Sequence, residues 1–378
     1  MAEHENEILR RASELFDCLL DMDDDERDAE IEGLVETDAL KHRLRRLLAA
    51  HRSVGPLDRA HANVDAPPAR IAGWTIVEEI GRGGMAVVYR AERNIGGTTQ
   101  VAALKLMTIG ALAGLGRERF LREQSILTRL DHPNIAGLLD AGVLADGTPW
   151  LAMVLVEGER IDSWCRDSDL GIRDIVAVFL SVCSAVAYAH RNLIVHRDLK
   201  PSNVLVDRES RVRLLDFGIA RLIDDENSTD ATVTSMRAMT PRFAAPEQFS
   251  GQLTTTATDV FGLGAVLYML LAGRPPRDVA ANPDQTFTSP SRAAGENPDL
   301  PSALRHSRQR ELGGDLDTIV LKALVTEPER RYASVEAMAS DLRAWLARRP
   351  IAARPGSLWY QASRFVRRNR VAVAAAIF

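Results

Sequence analysis

The spacing of apolar positions along the chain changes at about residue 74. Up to about residue 55 they recur at helical intervals: Ile8, Ala12, Leu15, Phe16 and Leu19 in one run, Leu40, Leu44, Leu47 and Leu48 in another. This predicts a small helical module over residues 1–55, with an acidic surface from "DMDDDERDAE" and a basic one from Lys41, Arg43, Arg45 and Arg46. A docking module for a regulator or partner chain is the sharper reading of the same residues. The stretch "GPLDRAHANVDAPPARIAG" has the Pro, Gly and Ala content of a linker, which places one over residues 56–73. From Trp74 the runs shorten and become β-branched: "WTIVEEI", "AVVYRAER" and "TQVAALKLM", separated by glycine-containing turns, predict an antiparallel meander of three strands. A helix follows from near Gly116, and beyond Gly158 the pattern is mostly helical. Strands first and helices afterwards predict an α+β fold in two lobes, residues 74–157 and 158–346. Residues 277–312, with several Pro and Gly, read as a loose surface excursion.

The composition is that of a soluble globular protein, with 46% apolar and 26% charged residues among 378. A formal net charge of -5 argues against a generally basic nucleic-acid binder. Cys18, Cys165 and Cys183 form no CxxC pair, which predicts reduced thiols in a cytosol rather than a zinc site or a disulfide framework. The acidic start of the chain is no secretory signal.

The chemistry enters where polar groups interrupt apolar runs. In "IVHRDLKPSNVLVD", His196, Arg197, Asp198, Lys200 and Asn203 lie between Ile194 and the run Val204–Val206. Burying such groups without partners is expensive, so their presence asks for a function. In "LLDFGIA", Asp216 again breaks an apolar run. Asn203 and Asp216 offer the hard oxygens that suit Mg²⁺, Asp198 is left to accept a proton, and Lys200 is placed to neutralise charge on a transferred group. Upstream, Lys105 in "VAALKLM" is by itself most simply an exposed strand lysine. The next helix changes that, because Glu123 falls in the middle of the face made by Phe120, Ile126, Leu127 and Leu130. An inward carboxylate needs a cation, and Lys105 is the expected partner. The turn in "GRGGMAVVYRA" is weak evidence alone, although Gly81, Gly83 and Gly84 let a backbone approach a phosphate.

Taken in order, the glycine-rich loop, the strand lysine, the helix glutamate, "HRDLKPSN", "DFG" and "APE" resemble a protein kinase over residues 74–346. "DLKPSN", "GGMAVVYRA" and "TPRFAAPEQ" are most similar to the bacterial, eukaryotic-like serine/threonine kinases. The resemblance implies the two-lobed kinase fold, ATP and Mg²⁺ (with Mn²⁺ as an alternative metal), and protein substrates with Ser or Thr acceptors. It implies a catalytic set of Asp198 as base, Lys200, Lys105 held by Glu123, and Thr240. It implies a nucleotide site at Gly81, Arg82, Gly83, Gly84, Met85, Ala86, Val88, Ala103, Lys105, Met153, Val154, Val156, Asn203, Leu205 and Asp216. Within that site Met153 is the gatekeeper, Val154 and Val156 present backbone to adenine, and Asn203 and Asp216 hold the metal. Glu247 pairs with Arg331, and Asp259 braces the catalytic loop.

Two positions depart from the pattern: Ala86 stands at the third loop glycine and Val154 at the hinge acid. Ala86 is small and Val154 contributes backbone, so neither implies a dead enzyme. A silent scaffold is disfavoured by the presence of Lys105, Asp198 and Asp216, and a small-molecule phosphotransferase by Ala245, Pro246 and Glu247. Arg197 precedes the base, where similar kinases pair it with a phosphate on the activation segment; Ser228, Thr229, Thr232, Thr234 and Ser235 are the candidates here, with self-association as the route to trans-autophosphorylation. Residues 347–370 are basic, through Arg354, Arg364, Arg367, Arg368 and Arg370, and 371–378 are apolar. That order reads either as a solvated helix end or, with the family resemblance, as the cytoplasmic flank of an inner-membrane span that continues past Phe378.

Overall fold

The computed structural model describes residues 70–82, 86–107, 128, 130–217, 242–249, 252–276 and 287–354. The expected N-terminal helices, the linker as far as residue 69, the Glu123 helix, the activation segment and the chain beyond residue 354 lie outside the described residues. The linker's expected end is corrected, since Arg70–Ile71 pairs with the sheet and Ile71 is buried.

The three expected strands form, as β2 (Trp74–Arg82), β3 (Ala86–Ile95) and β4 (Thr98–Met107). They belong to a larger sheet with β1 (Arg70–Ile71), β5 (Leu138–Val143) and β6 (Pro149–Val154), in the order β1-β2-β3-β4-β6-β5 and antiparallel throughout. The β3–β4 hairpin closes tightly, with Ile95 opposite Thr98, because Gly96 and Gly97 both take positive φ (58° and 88°). Two such residues in a row make the hairpin turn whose twist matches that of the strands it joins. Alternation then sorts the side chains. On β4, Ala102 and Leu104 are buried in a core with Trp74, Tyr89, Ala91, Trp150 and Ala152. Ala103 and Lys105 therefore face the opposite side of the sheet.

The second lobe is helical apart from a small sheet of β7 (Gly158–Arg160), β8 (Val204–Asp207) and β9 (Val212–Leu214). Numbered over the described residues, its helices begin with α1 (Ile161–Asp167), α2 (Ile172–Arg191), α3 (Pro246–Phe249) and α4 (Thr256–Ala272). They continue with α5 (Pro290–Gly295), α6 (Ser302–Leu312), α7 (Asp315–Ala323) and α8 (Val335–Leu346). Helix α4 is apolar on all sides and buried along nearly its whole length, so it forms the centre of the lobe. A capping box of Thr255 and Thr258 starts it, and Gly273 at φ 72° ends it. Helix α2 is, among the described residues, long and apolar enough to cross a membrane. Its apolar positions Ile172, Ile175, Val176, Phe179, Val182, Cys183 and Val186 are all buried in the same core as α4, so here it is a core helix.

Residues 287–312 correct the sequence reading of a loose excursion, since they fold into α5 and α6. The prolines that suggested a loop stand at helix starts: Pro290 follows the capping Ser289, and Pro301 is the residue before α6. Ala293, Ala294 and Leu312 are fully buried, and Asn297 donates to the Ala272 carbonyl at the end of α4.

Candidate active site

Lys105 sits on the face of β4 turned away from the sheet core. Its register partners are Val88 on β3 and Leu151 on β6, while Ala103 one row along is opposite Met153. Val88 is in turn opposite Gly81, and Ala86 is buried opposite Met107. One sheet face therefore carries Val88, Ala103, Lys105 and Met153, four residues named from the sequence for the nucleotide. Arg82 turns back along its own strand to an exposed ion pair with Glu79. The N–H of Val154 bonds the Gly137 carbonyl, so what Val154 can offer a ligand is its own carbonyl. Val156 lies in the irregular stretch after β6, and Leu205 faces away from the buried Val204 and Val206 on β8. Gly83, Gly84, Met85, Glu123 and Thr240 lie outside the described residues.

Lys105 Nζ lies 3.0 Å from Asp216 Oδ2; its expected pair with Glu123 lies outside the described residues. Asp216 follows β9 with φ 46°, a conformation uncommon for any residue but glycine. Both groups are about one-quarter exposed, as suits charges that meet a ligand from solvent.

The stretch around Asp198 is a loop in which the side chains of His196, Asp198, Lys200 and Asn203 all find partners. His196 is fully buried. Its Nδ1 accepts from the Asp198 N–H at 3.3 Å, so Nε2 carries the hydrogen and donates to the Leu215 carbonyl at 2.9 Å. Its ring also packs against Phe217, the residue after Asp216. The sequence reading leaves Asp198 free to accept a proton; its carboxylate in fact has two side-chain partners. Lys200 Nζ lies 2.9 Å from its Oδ2, and Asn203 Nδ2 donates to the same oxygen at 3.0 Å and to the Asp198 carbonyl at 2.7 Å. Asn203 holds its place through a 3₁₀ turn over Pro201–Asn203, and its own carbonyl accepts from the Leu215 N–H. Two bonded groups result, Asp198 with Lys200 and Asn203, and Lys105 with Asp216 across the two lobes; the Leu215 N–H bond to the Asn203 carbonyl brings them together one residue before Asp216. As a metal site the donor set fits a hard cation: the Asn203 amide spends its nitrogen on Asp198 and keeps an oxygen, and Asp216 supplies a carboxylate one residue from a bond to Asn203.

Asp259, on α4, supports the loop from beneath. Its carboxylate accepts from the His196 N–H (2.7 Å), the Arg197 N–H (2.8 Å) and His190 Nε2 (2.7 Å). Glu247 and Arg331 form the expected pair, bidentate at 2.7 Å and buried. Burial alone pushes the Glu247 carboxyl up; the Arg331 guanidinium outweighs it and holds it below the usual carboxylate range.

Two residues of this architecture were missed in the sequence. His190 continues the buried stripe of α2 four residues beyond Val186, a titratable group on an apolar face that asks for a partner as Glu123 does. Gln248 follows the quoted "APE", and its amide reaches the catalytic loop.

The chain matches the protein kinase domain family over residues 74–342, well over half its length. It is 33% identical over 285 residues to the serine/threonine-protein kinase PknB of Mycobacterium leprae, covering 73% of this chain and 43% of that one. To the serine/threonine-protein kinase PrkC of Bacillus subtilis it is 34% identical over 283 residues, covering 72% and 41% respectively. The chain thus spans about two-fifths of the length of these curated relatives. Among solved structures, the Mycobacterium tuberculosis PknI kinase domain superposes with a TM-score of 0.54 at 28% identity, over 74% of this chain and 99% of that one. The fold, the juxtaposed polar groups and these matches agree: the chain belongs to the protein kinase family, among relatives that are bacterial serine/threonine kinases of eukaryotic type.

Proposed function

We propose that this chain transfers the γ-phosphoryl group of ATP to Ser and Thr hydroxyls of proteins. The observation that carries the reading is the juxtaposition of two bonded groups, Lys105 with Asp216 and Asp198 with Lys200 and Asn203, held together by the Leu215 N–H bond to the Asn203 carbonyl. Phosphoryl transfer asks a protein for positioning and charge stabilisation, and these groups supply both. Lys105 binds phosphate oxygens from the sheet face that it shares with the apolar surface of Val88, Ala103 and Met153 that receives the adenine. Asp198 orients the acceptor hydroxyl and takes its proton as the new oxygen–phosphorus bond forms and the bond to the β,γ-bridging oxygen breaks, releasing ADP. Lys200 neutralises charge on the transferred group. Mg²⁺, held by Asn203 and Asp216, would neutralise charge on the phosphates.

Labelled γ-phosphate transfer from ATP to a protein acceptor tests this. Asp198→Asn and Lys105→Met are expected to lower transfer by about 10²-fold or more with the fold retained. A wild type that never phosphorylates protein, or variants that keep its rate, would overturn the reading. We include autophosphorylation of the activation segment, on the strength of Arg197 before the base; mass spectrometry after incubation with ATP should place phosphate among Ser228–Ser235. The catalytic lobes are assigned to the cytoplasm, with the basic residues 354–370 next to the inner membrane, and the coding sequence beyond Phe378 decides that: a charged continuation would remove the membrane.

A further inference from the structure

We propose that Gln248 is a positioning residue for the base: it ties the end of the substrate-binding segment to the peptide group that carries Asp198. The inference rests on the kinase reading above for its catalytic consequence and on the following geometry for the rest.

Gln248 lies in the short helix α3, and its side chain makes two hydrogen bonds. Oε1 accepts from the Ala245 N–H at 2.9 Å, and Nε2 donates to the Arg197 carbonyl at 2.9 Å. The partners fix the amide's orientation, since a backbone N–H can only donate and a carbonyl can only accept. No other side-chain type of this length offers an acceptor and a donor on one rigid plane.

The Arg197 carbonyl belongs to the peptide group joining Arg197 to Asp198. That group is held on its other side by the Asp198 N–H bond to His196 Nδ1. The preceding peptide group is held by Asp259, through the Arg197 N–H. Arg197 itself has φ 65°, a left-handed conformation that L-residues adopt when surrounding contacts impose it. Rotation of the Arg197–Asp198 peptide would swing the Asp198 carboxylate away from Lys200 and Asn203. Gln248 opposes that rotation from the carbonyl side. Its second bond, to Ala245, makes the restraint depend on where the substrate-binding segment ends. A segment out of place at Ala245 releases the amide, and with it the base.

A plainer role competes. Gln248 is the third residue of α3 and Ala245 the residue before it, so the Oε1 bond is an ordinary helix-start contact. That contact needs only an acceptor, and Glu would serve. The bond to Arg197 needs the amide nitrogen, and Glu lacks it.

The experiment uses the full chain with Gln248→Glu and Gln248→Met. Each is expected to lower kcat about 10- to 100-fold, with the ATP dissociation constant within about twofold of wild type. Amide hydrogen exchange at Asp198, followed by NMR or fragment-resolved mass spectrometry, is expected to accelerate at least tenfold in both. Gln248→Glu keeps the helix start, so its melting temperature is expected to match that of the wild type. If Gln248→Glu retains wild-type kcat and wild-type exchange at Asp198, Gln248 is a helix cap and the proposal falls. The exchange measurement needs no catalysis. A wild type without phosphotransfer therefore counts against the kinase reading, while slow exchange at Asp198 in Gln248→Met counts against this one.

Discussion

Arg331→Met tests how the helical lobe holds the "APE" stretch Ala245–Glu247. The Arg331 guanidinium is fully buried and makes five contacts: two to Glu247, and one each to the carbonyls of Ala257, Val325 and Thr326. It also lies over the Phe261 ring, 5.0 Å from its centroid. Methionine fills similar space with none of these donors and strands a carboxylate that is 4% exposed. Breaking a buried pair by removing one partner costs about 3–5 kcal/mol, and the three carbonyls that lose donors place this case at the upper end. For a domain of this size that is roughly 6–20 °C in melting temperature. Glu247→Gln should cost less, because an amide still bonds the guanidinium and the Thr258 hydroxyl that now donates to Glu247. In the double variant the stranded charge is gone, so its cost should fall below the sum of the singles by more than 1 kcal/mol.

The pH dependence gives a second reading of the same pair. The folded Glu247 carboxyl lies below its unfolded value, so its contribution is complete above about pH 4.3 and is lost as pH falls through the folded value. Without Arg331, burial is left to raise that carboxyl, and the sign reverses. The stability gap between wild type and Arg331→Met should therefore narrow as pH falls, first above about pH 4.3 as the variant's buried carboxyl takes up its proton and then below it as the wild-type carboxyl does. Urea unfolding across pH 3.5–7 measures both effects. Additivity of the two singles to within about 0.5 kcal/mol, or a gap that does not change with pH, would refute the reasoning.

Gly262 on α4 packs under the catalytic loop, where an added Cβ would stand 2.9 Å from Leu199 Cβ, beside the base. Gly262→Ala gains about 1 kcal/mol of helix propensity and loses about 1–3 to overpacking, so it should cut phosphotransfer at least tenfold while shifting the melting temperature by a few degrees. Gly264→Ala, which meets Ala323 on α7 instead, is the control; equal activity loss in both would show that the loop is not the target. Asp341→Ala should release the segment after α8, because that buried carboxylate accepts from the Ala352 and Ala353 N–H groups and from the Tyr332 hydroxyl while Ile351 is buried nearby. A loss of about 2–4 kcal/mol and new tryptic cleavage after Arg348 are expected, and an unchanged digest would count against the docked segment.

Much of this fold was legible because its local signals agree with its packing. The strands β2, β3 and β4 form where the β-branched runs lie, and glycines stand where the hairpin needs positive φ. What the sequence did not show is the rest of the sheet, since β5 and β6 are reached through long-range pairing: β6 inserts between β4 and β5, out of chain order. The prolines near residue 290 misled for a local reason, because Pro marks a helix start as readily as a loop and the arbiter is burial of Ala293 and Ala294.

The site divides in the same way. Lys105, Asp198, Asn203 and Asp216 stand out because each is a polar interruption of an apolar run, and desolvation makes such interruptions informative. The groups that orient them carry no such mark. His190 and Gln248 are ordinary residues of ordinary helices, and their importance comes from partners 69 and 51 positions away in the chain. The stretch at Ile194–Asp207 tolerates its buried polar groups for that reason: α4 supplies Asp259, α3 supplies Gln248, and the strand before Asp216 leads to the Leu215 carbonyl. His196 accepts from the residue that carries the base and donates to the residue before the proposed metal aspartate. A single buried imidazole therefore ties the backbone at Asp198 to the backbone one residue before Asp216, which gives its burial a positioning purpose and not just a packing one.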